Sequence, residues 1–345
     1  MTFGYLAGAL EGLGTTMEFI GDSLDAILHG LYRVLGSEGQ HNVGSRGDTR
    51  ELIGVALRVL KPRARLSISE NRGKPFSALG ELLWYLSGSD TLQFIEPYVS
   101  RYKDDAVAGI LEGAYGPRLL DLREGINQFD SIHQLLQERP GSRRAVIQLF
   151  NAEDIATAHK EIPCTTTMQF HMRNGVLHMS VTMRSNDAYW GLPHDVFCFT
   201  MIQEMMARRL GAEMGEYYQY VGSMHVYEKH LGQMNEYVAE GFQQTREMPP
   251  MSEGNPFDMV GRLLKIEGRL RAGEAIVAAE EIDDPYWADI VRLLQAFWAR
   301  KWAPDHSARL MELKAELAYE TYGPYLEGRL HLTNQASKAG GAQAA

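Results

Sequence analysis

Apolar residues recur every three or four positions in four stretches of the chain, which is the spacing of one face of a helix. Asp22 or Ser23 can cap the first stretch, while Pro193 stands at the start of the last stretch and Gly211 at its end. The spacing therefore predicts helices over residues 24–35, 78–86, 131–138 and 194–210.

Other stretches alternate in polarity or are rich in branched residues, as strands are. Asn174-Gly175 lies between two alternating segments and is a strong signal for a type I′ hairpin. The polar, glycine-containing residues 37–50 are expected to form a loop. The pattern predicts strands over residues 51–60, 167–173, 176–183 and 217–227, and a further strand within S-R-R-A-V-I-Q-L-F-N at 142–151.

Composition marks one internal boundary. Pro249-Pro250 and the stretch S-E-G-N-P at 252–256 interrupt the apolar pattern, and residues 256–330 are mostly helical in spacing. We expect four parts of the chain. These are an N-terminal extension at 1–21, an α/β (α+β) domain at 22–250, a helical extension at 251–335 and a disordered tail at 336–345.

The charge balance limits the partners of the protein. Its 345 residues include 34 basic and 44 acidic side chains, which give a net charge of −10. A protein that coats a nucleic acid polymer needs a field of lysine and arginine, so we expect no such partner. A small anion held by a few arginines is compatible with this charge.

Three features favour a cytoplasmic protein without a membrane span. No apolar run reaches the roughly 18 residues of a membrane helix. Residues 1–28 carry four acidic side chains and lack the basic start of a secretory signal. Two cysteines are too few for a disulfide framework, which favours a reducing compartment.

Cys164 is the first candidate for chemistry. It follows Pro163 at the entrance of a predicted strand, where a cysteine can be partly exposed and where nearby arginines can lower its pKa. The alternative is a small buried hydrophobic residue. Cys198 lies within an apolar helical run and is expected to be such a core residue.

Arginines cluster in three predicted loops. Separate loops can converge on one dianion, because the planar guanidinium group matches phosphate oxygens. Each cluster taken alone could equally be a solvated surface charge. The clusters are Arg46 with Arg50, Arg143 with Arg144, and Arg184 beside Ser185.

Four further residues have both a functional and a structural interpretation. Glu81 is an acid on a mostly apolar predicted helix, which makes it a plausible acid or base. Asp195 lies in the first turn of the long predicted helix, where the helix dipole favours an acid. His225 and Tyr227 share one face of a predicted strand, so they could point into one cavity or be ordinary half-buried side chains.

Six short motifs occur in order along the chain. The densest, R-S-N-D-A-Y-W-G-L-P at 184–193, lies twenty residues after the cysteine of P-C at 163–164. The others are E-L-L-W-Y-L at 81–86, A-Y-G at 114–116, S-R-R at 142–144 and G-S-M-H-V-Y at 222–227. Together these motifs resemble the thymidylate synthase family, and the resemblance spans residues 22–250.

The resemblance implies a fold and a reaction. The fold is a large, mostly antiparallel or mixed sheet flanked by helices, followed here by the helical extension. In this family a cysteine thiolate, here Cys164, adds to C6 of a pyrimidine nucleotide, and C5 then attacks the methylene group of the cosubstrate 5,10-methylenetetrahydrofolate. Glu81 would organise water and move protons, and Tyr115 would assist at the base. No metal is implied.

The 5′-phosphate of the nucleotide is assigned by the resemblance to side chains from both subunits of a homodimer. Arg46, Arg184 and Ser185 would bind the phosphate from the subunit that carries the cysteine. Arg143 and Arg144 would be donated across the interface by the other subunit. Arginines from all three clusters would thus share one ligand.

The remaining ligand contacts implied by the resemblance concern the sugar and the folate. His225 and Tyr227 would hold the 3′-hydroxyl of the sugar. Asp187 would meet the folate pterin, with Trp84 as a second folate-binding residue. These four side chains complete the set of expected site residues.

One departure from the family pattern concerns the base. Thymidylate synthases have an asparagine two residues after G-L-P, where this chain has Asp195. An amide matches N3–H and O4 of uracil, whereas a carboxyl that shares a proton with N3 matches N3 and the amino group of cytosine. An ionised Asp195 facing uracil O4 would cost about 1–3 kcal/mol. We therefore expect cytosine, as in phage-type deoxycytidylate hydroxymethylases.

Two further observations bear on the product and the sugar. Thymidylate synthases carry tryptophans before the tyrosine-glycine motif that help shield hydride transfer, and this chain has none between Trp84 and Trp190. We therefore expect water to capture the C5 methylene, which would give 5-hydroxymethyl-dCMP. Relatives that prefer CMP replace the motif serine and one loop arginine; here Ser185, Arg143 and Arg144 are present and favour the deoxyribonucleotide.

Other departures keep alternatives open. Thr165 replaces the histidine common after the cysteine, Ser223 replaces the aspartate of G-D-x-H, and a helical extension stands where the family has a short tail. The alternatives are methylation of dUMP or dCMP, hydroxymethylation of CMP, and a non-catalytic protein that binds nucleotides. Cys164 and the phosphate arginines count against the last of these.

Overall fold

A mixed β-sheet organises the fold of the computed structural model, which describes residues 17–44, 46–69 and 75–331. The tail expected at 336–345 and most of the extension expected at 1–21 lie outside these residues. The strands run in the order β1-β3-β7-β6-β5-β4, with β2 paired to β3. They are β1 (Met17–Gly21), β2 (Gln40–Gly44), β3 (Gly47–Val59), β4 (Val146–Gln148), β5 (Thr165–Arg173), β6 (Val176–Asp187) and β7 (Glu213–Tyr227).

Helices fill the connections between the strands and make up the C-terminal part. They are α1 (Leu24–Glu38), α2 (Pro75–Ser87), α3 (Leu92–Ile95), α4 (Tyr115–Leu120), α5 (Gln128–Glu138), α6 (Glu153–Ala156), α7 (Gly191–Arg209), α8 (Leu231–Ala239), α9 (Phe257–Arg271), α10 (Ala278–Glu281), α11 (Pro285–Trp302) and α12 (His306–Glu316). Short 3₁₀ turns occur at Ser100–Asp104, Glu228–His230 and Glu320–Tyr322. The expected mixed sheet with flanking helices is confirmed.

Local sequence signals account for several of these elements. The Ser23 hydroxyl accepts a hydrogen bond from the Ala26 N–H and caps α1. Asn174 and Gly175 both have positive φ, as a type I′ turn requires, and they join β5 to β6. Gly211 has a φ of +63° directly after α7. The predicted helices and this hairpin are confirmed, with ends shifted by a few residues.

The loop expected at residues 37–50 is wrong in part. Residues 40–44 form β2, which pairs with the first half of β3 in an antiparallel hairpin. Every residue of β2 is exposed. Because this edge strand buries neither face, it lacks the apolar alternation by which strands are recognised.

Only one face of the sheet is covered by helices, as two adjacent rows across the strands demonstrate. One row is buried throughout and consists of Phe19, Leu57, Gln219, Val181, Met168 and Ile147. The next row is half-buried or exposed and consists of Ile20, Arg58, Tyr218, Ser180, Gln169 and Val146. Ile20 is 50% exposed and Val146 is 40% exposed, so this second face leaves apolar surface uncovered by the described residues.

The C-terminal helices share a core with the rest of the protein. α9 and α11 both pack against α2, and the buried side chains of α11 belong to the same hydrophobic cluster as the sheet. The helical pattern expected for residues 256–330 is therefore confirmed. None of the described helices is long and apolar enough to cross a membrane.

Candidate active site

A cavity of about 650 Å³ opens where α2, α7, β6 and β7 meet. This volume lies within the range of small-molecule sites. Its walls also include the β2–β3 hairpin, the 3₁₀ turn at 100–104 and the loop before β5. Among the site residues expected from the sequence, those lining it are Arg46, Glu81, Trp84, Tyr115, Cys164, Arg184, Ser185, Asp187, Asp195, His225 and Tyr227.

Three of the arginines considered from the sequence lie elsewhere. Arg143 and Arg144 are exposed just before β4, outside this cavity. Arg50 faces away from it, donating a hydrogen bond to the Gly39 carbonyl and lying 3.5 Å from the Glu228 carboxylate. A single subunit therefore brings Arg46 and Arg184, but not the remaining arginines, to the cavity.

Strand register explains why distant motifs share one wall. β6 and β7 run parallel, and Ser185 pairs with Ser223 while Asp187 pairs with His225. The ring of His225 meets that of Tyr227 edge-on, with centroids 5.4 Å apart. The paired ends of β6 and β7 thus bring residues from two separate sequence motifs side by side.

Arg184 holds the loop that carries the half-buried Cys164. Its Nε donates to the Pro163 carbonyl at 2.9 Å and its Nη2 donates to the Ile162 carbonyl at 3.1 Å. The same Nη2 lies 3.8 Å from the Cys164 Sγ. Cys198, by contrast, is fully buried in α7, as predicted.

The pKa of Cys164 differs from the expectation. Burial raises the pKa of the thiol, and the positive charge of Arg184 only partly opposes this effect. Arg184 does lower the pKa of the thiol, as expected, but the net shift is upward. The physical reason is that desolvation of the thiolate outweighs one neighbouring guanidinium.

Tyr115 is tied to the residue that follows the cysteine. Its hydroxyl donates to the Thr165 Oγ1 at 2.9 Å and accepts from the Thr165 N–H at 3.0 Å. Burial raises its pKa well above the usual value, so the hydroxyl stays protonated. Thr165 therefore anchors Tyr115 beside Cys164.

Glu81 is a buried carboxylate with a hydrogen-bond donor on each oxygen. Tyr102 and Tyr85 donate to Oε1 at 2.6 and 3.2 Å, and His194 Nδ1 lies 2.6 Å from Oε2. Burial alone would raise the pKa of Glu81, but His194, Tyr102 and the charge of Arg101 outweigh it and leave the pKa below its usual value. Glu81 is thus an ionised acceptor of protons.

Asp195 has the opposite electrostatic character. It is 8% exposed, and burial together with the negative charge of Glu81 raises its pKa well above the usual value. Its Oδ2 accepts a hydrogen bond of 2.6 Å from the Asn186 amide. Gln219 donates to the Asn186 oxygen at 3.0 Å, which fixes the orientation of that amide. The raised pKa favours the neutral form of the Asp195 carboxyl, and the Asn186 contact holds that carboxyl in one position.

The polar atoms of Asp187 and Trp84 fit a ligand that fills the rest of the cavity. Asp187 Oδ1 accepts from the backbone N–H groups of Tyr189 and Trp190. Its buried Oδ2 and the buried indole N–H of Trp84 have no hydrogen-bond partner among the described residues. One acceptor and one donor thus remain for a heterocyclic ligand such as a pterin.

Several cavity residues beside the site carboxyl groups had no role assigned from the sequence. Arg101 Nη1 lies 3.7 Å from Asp187 Oδ2, while Tyr102 and His194 hold Glu81 and Asn186 holds Asp195. His194 and Asn186 stand inside or next to the densest motif, so their positions carried a usable signal. Arg101 and Tyr102 lie in a segment without any motif, and only the fold brings them to the site.

One of the cavity arginines is already paired with an acid. Arg46 forms an ion pair with Asp105 at 2.6 Å, which a phosphate would have to replace or join. Within the described ranges, no group of three or more histidine, cysteine, aspartate or glutamate side chains is arranged to hold a metal ion.

We predict slow alkylation of Cys164 by iodoacetamide in the ligand-free protein. Because burial raises the pKa of Cys164, less thiolate is present at neutral pH than for a free cysteine, and the rate should rise with pH to a midpoint above the usual cysteine value. Arg184→Met should move that midpoint higher, since a favourable charge is lost. The pH dependence of alkylation, followed by mass spectrometry, measures both effects.

The controls for this experiment are available in the chain. Cys164→Ser should abolish alkylation because Cys198 is fully buried. Arg173→Met, at the exposed end of β5, should leave the midpoint unchanged. A midpoint at or below that of a free cysteine would contradict the inferred environment of the thiol.

Comparison with known proteins agrees with the motifs. The family model described as thymidylate synthase matches residues 36–256. A deoxyuridylate hydroxymethyltransferase of Bacillus phage SP01 is 31% identical over 194 residues, which are 52% of this chain and 50% of the phage protein. This chain therefore spans only half the length of that relative.

Two thymidylate synthases provide further comparisons. One from Francisella tularensis subsp. holarctica is 27% identical over 206 residues, which are 55% of this chain and 75% of the relative. One from Bacillus phage phi3T is 33% identical over 165 residues, 45% of this chain and 58% of the relative. Since the family model covers well over half of the sequence, the chain belongs to the thymidylate synthase family.

Proposed function

We propose that the protein hydroxymethylates dCMP at C5 and uses 5,10-methylenetetrahydrofolate as the one-carbon donor. The observation that carries this proposal is the buried carboxyl of Asp195 at the base-recognition position of the family motif. Folate-dependent one-carbon transfer to a pyrimidine nucleotide follows from the family. The choice of base, sugar and product rests on individual residues.

Cytosine is favoured because a protonated Asp195 can pass its proton to N3 of cytosine, whereas N3 of uracil already carries one. A neutral carboxyl donates to N3 of cytosine through one oxygen and accepts from the 4-amino group through the other. Asn186 occupies one lone pair of Oδ2 and leaves both oxygens available at the cavity. If the proton moves to N3, a bidentate, charge-assisted pair forms, which is stronger than a neutral pair.

Proton sharing at N3 also prepares the ring for nucleophilic attack. A positive charge on N3 withdraws electrons from C6, where the Cys164 sulfur would add. Cytosine is thereby activated by the same group that recognises it. An asparagine cannot supply this proton, because its amide does not titrate.

Glu81 supplies the complementary acid–base group. It is ionised in the ligand-free protein, so it can accept a proton from water or from the C5 position. His194 and Tyr102 hold its two oxygens and keep the carboxylate in place. One ionised and one neutral carboxyl in the same cavity allow both directions of proton transfer.

The folate is assigned to the part of the cavity near Asp187 and Trp84. When bound, it would supply the methylene group that becomes attached to C5. The free acceptor on Asp187 and the free donor on Trp84 match a pterin ring. The wall here is polar, because the half-exposed guanidinium of Arg101 faces Asp187.

This polar wall supports water rather than hydride as the second reactant. The Arg101 side chain lines the cavity and is 51% exposed, so it could hold a water molecule there. Water adds to the methylene on C5 and loses a proton, which Glu81 can accept, and Cys164 then leaves C6. The products are 5-hydroxymethyl-dCMP and tetrahydrofolate.

The phosphate and the sugar are assigned to the other end of the cavity. Arg46, Arg184 and Ser185 line this end and would bind the 5′-phosphate. His225 and Tyr227 project from β7 into the cavity and would bind the 3′-hydroxyl. Ser185 is consistent with a deoxyribonucleotide.

We propose a homodimer in which Arg143 and Arg144 complete the phosphate site of the partner. The uncovered face of the sheet supports this assembly, since it exposes Ile20 and Val146. Both arginines are exposed and lie two and three residues before Val146, and the Arg143 carbonyl accepts a hydrogen bond from Gln169. We further propose that the enzyme works in the cytoplasm, where Cys164 remains a free thiol.

Hydroxymethylation of dUMP is a second candidate. The phage SP01 relative is named a deoxyuridylate hydroxymethyltransferase. A neutral Asp195 can also accept from N3–H and donate to O4 of uracil, as an amide does. The two candidates share the chemistry at C5 and differ in the base.

Mass spectrometry of the product tests the proposal directly. Incubation of the protein with methylenetetrahydrofolate and dCMP should add one CH₂O unit to the nucleotide and release tetrahydrofolate. Parallel reactions with dUMP and CMP measure the preference for base and sugar. Addition of CH₂ with release of dihydrofolate would contradict water capture, and no turnover of any nucleotide would favour a binding protein.

Asp195→Asn should reverse the preference for the base. The amide cannot protonate N3 of cytosine, so the ratio of kcat/KM for dCMP to that for dUMP should fall roughly fivefold to 150-fold, which corresponds to about 1–3 kcal/mol. Trp84→Phe is the matched control, since it removes only a proposed folate contact and should weaken turnover of both nucleotides alike. An unchanged ratio in Asp195→Asn would show that another group recognises the base.

Mixed dimers test whether Arg143 and Arg144 are supplied by the partner subunit. Cys164→Ser and the double variant Arg143→Ala/Arg144→Ala should each be nearly inactive alone. When they are mixed and exchanged, one site of each mixed dimer regains both a cysteine and the partner's arginines, so activity should return. Two Cys164→Ser subunits with different affinity tags provide the control. Absence of recovery despite dimer exchange would mean that the arginines act within their own subunit.

A further inference from the structure

The helices beyond residue 256 contact the segment that carries Arg101 and Tyr102. This segment, residues 92–104, comprises α3, Tyr98 and the 3₁₀ turn at Ser100–Asp104. It contributes two cavity residues but has no strand to hold it. Its backbone is instead contacted by α9 of the extension, through Arg271.

Arg271 acts as a bridge between α9 and the end of α3. Its Nη1 donates to the Gln93 carbonyl at 2.7 Å, and its Nη2 donates to the Phe94 carbonyl at 2.9 Å. The guanidinium also lies over the Phe94 ring, 4.7 Å from the centroid. Two hydrogen bonds and one cation–π contact thus hold this short helix, and the hydrogen bonds satisfy two carbonyls of its only turn.

Glu267, one helical turn earlier, joins this bridge to Tyr98. It is 2% exposed, and its Oε1 accepts from Arg271 at 2.7 Å and from the Tyr98 hydroxyl at 2.7 Å. Trp298 of α11 donates its indole N–H to the same hydroxyl at 3.0 Å. Two helices of the extension therefore converge on one tyrosine.

Tyr98 in turn lies directly against α2. A Cβ atom added to Gly80 would stand 2.1 Å from Cγ of the Tyr98 ring, so only glycine allows this approach. Gly80 immediately precedes Glu81. Four residues after Tyr98, Tyr102 donates to Glu81 at 2.6 Å, and Arg101 lies 3.7 Å from Asp187.

We propose that Arg271 is a positioning residue of the active site, which acts from the helical extension to hold residues 92–104 so that Tyr102 and Arg101 stay beside Glu81 and Asp187. This inference rests on the proposed function insofar as Glu81 is the group that moves protons. It gives the extension a role in catalysis without any contact with substrate.

The pH dependence of turnover provides the readout. The charged and titratable groups that face Glu81 are His194 and Asp195 from α7, Tyr85 from α2, and Tyr102 and Arg101 from the 3₁₀ turn. Tyr102 and Arg101 lower the pKa of Glu81, so their displacement raises it. A higher pKa for a group that must be ionised moves the acid limb of the kcat profile to higher pH.

Arg271→Met should lower kcat by about tenfold, a fraction of the roughly 10²–10⁴-fold supplied by general acid–base groups. The acid limb of its kcat profile should move upward by about half a pH unit, in the same direction as in Tyr102→Phe. In the double variant Arg271→Met/Tyr102→Phe, the shift should be smaller than the sum of the two single shifts, because Arg271 acts partly through Tyr102. Additive shifts, or no shift in Arg271→Met, would overturn the proposal.

Arg269→Met is the matched control on the same helix. Arg269 pairs with Glu274 and Glu281 at the surface of the extension and makes no hydrogen bond to residues 92–104 in the described structure. Its removal should leave kcat and the acid limb unchanged. A shift equal to that of Arg271→Met would mean that general destabilisation of α9 is responsible.

Two additions keep the test decisive. If Arg271→Met fails to fold because Glu267 is left without its cation, Glu267→Gln/Arg271→Met removes the charge and keeps an acceptor for Tyr98. Hydrogen exchange of a peptide covering 92–104 should be faster in this variant than in Arg269→Met. Hydrogen exchange does not require turnover, so it tests the contact between Arg271 and residues 92–104 even if the wild-type protein processes no nucleotide. Equal exchange rates in the two variants would overturn the proposal.

Discussion

The site brings together two buried carboxyl groups whose surroundings shift their pKa values in opposite directions. Glu81 has a donor on each oxygen and is ionised, while Asp195 is desolvated and faces the charge of Glu81, which raises its pKa. Two carboxylates could not both be ionised here at low cost, since burial makes their repulsion strong. Glu81 can therefore act as the base and Asp195 as the acid. The proposed proton transfer needs the first, and the proposed recognition of cytosine needs the second.

The packing of α2 against α7 creates this asymmetry. His194 and Asp195 are consecutive on α7, so their side chains diverge by about 100° around the helix. His194 is thus directed at Glu81 on α2, whereas Asp195 is directed at Asn186 at the end of β6. A rotation of α7 by one residue would exchange an acid–base pair for an acid–acid contact, so the packing of α7 against α2 fixes the electrostatics of the site.

Much of the fold and part of the site could be predicted from local sequence. The hairpin at Asn174-Gly175 and the burial of Cys198 follow from turn chemistry and apolar periodicity. β2 was missed because an edge strand with both faces in water has no alternation. The pKa of Cys164 was misjudged because the sequence places Arg184 near it but does not reveal how far the thiol is desolvated. Such quantities depend on packing between residues that are distant in the chain.

The same limit applies to the residues that support the site from outside the family match. That match ends at residue 256, before Glu267 and Arg271. The residues next to Tyr102 in the sequence form no motif that would predict its place in the site. Its position follows from Glu267 and Arg271, more than 160 residues later in the chain, through Tyr98 and the carbonyls of α3. Burial of Glu267 with only 2% exposure is tolerable because three donors surround it, and the same donors fix the segment that reaches Glu81. The hydrogen bonds that offset the cost of burying Glu267 therefore also hold the segment that reaches Glu81.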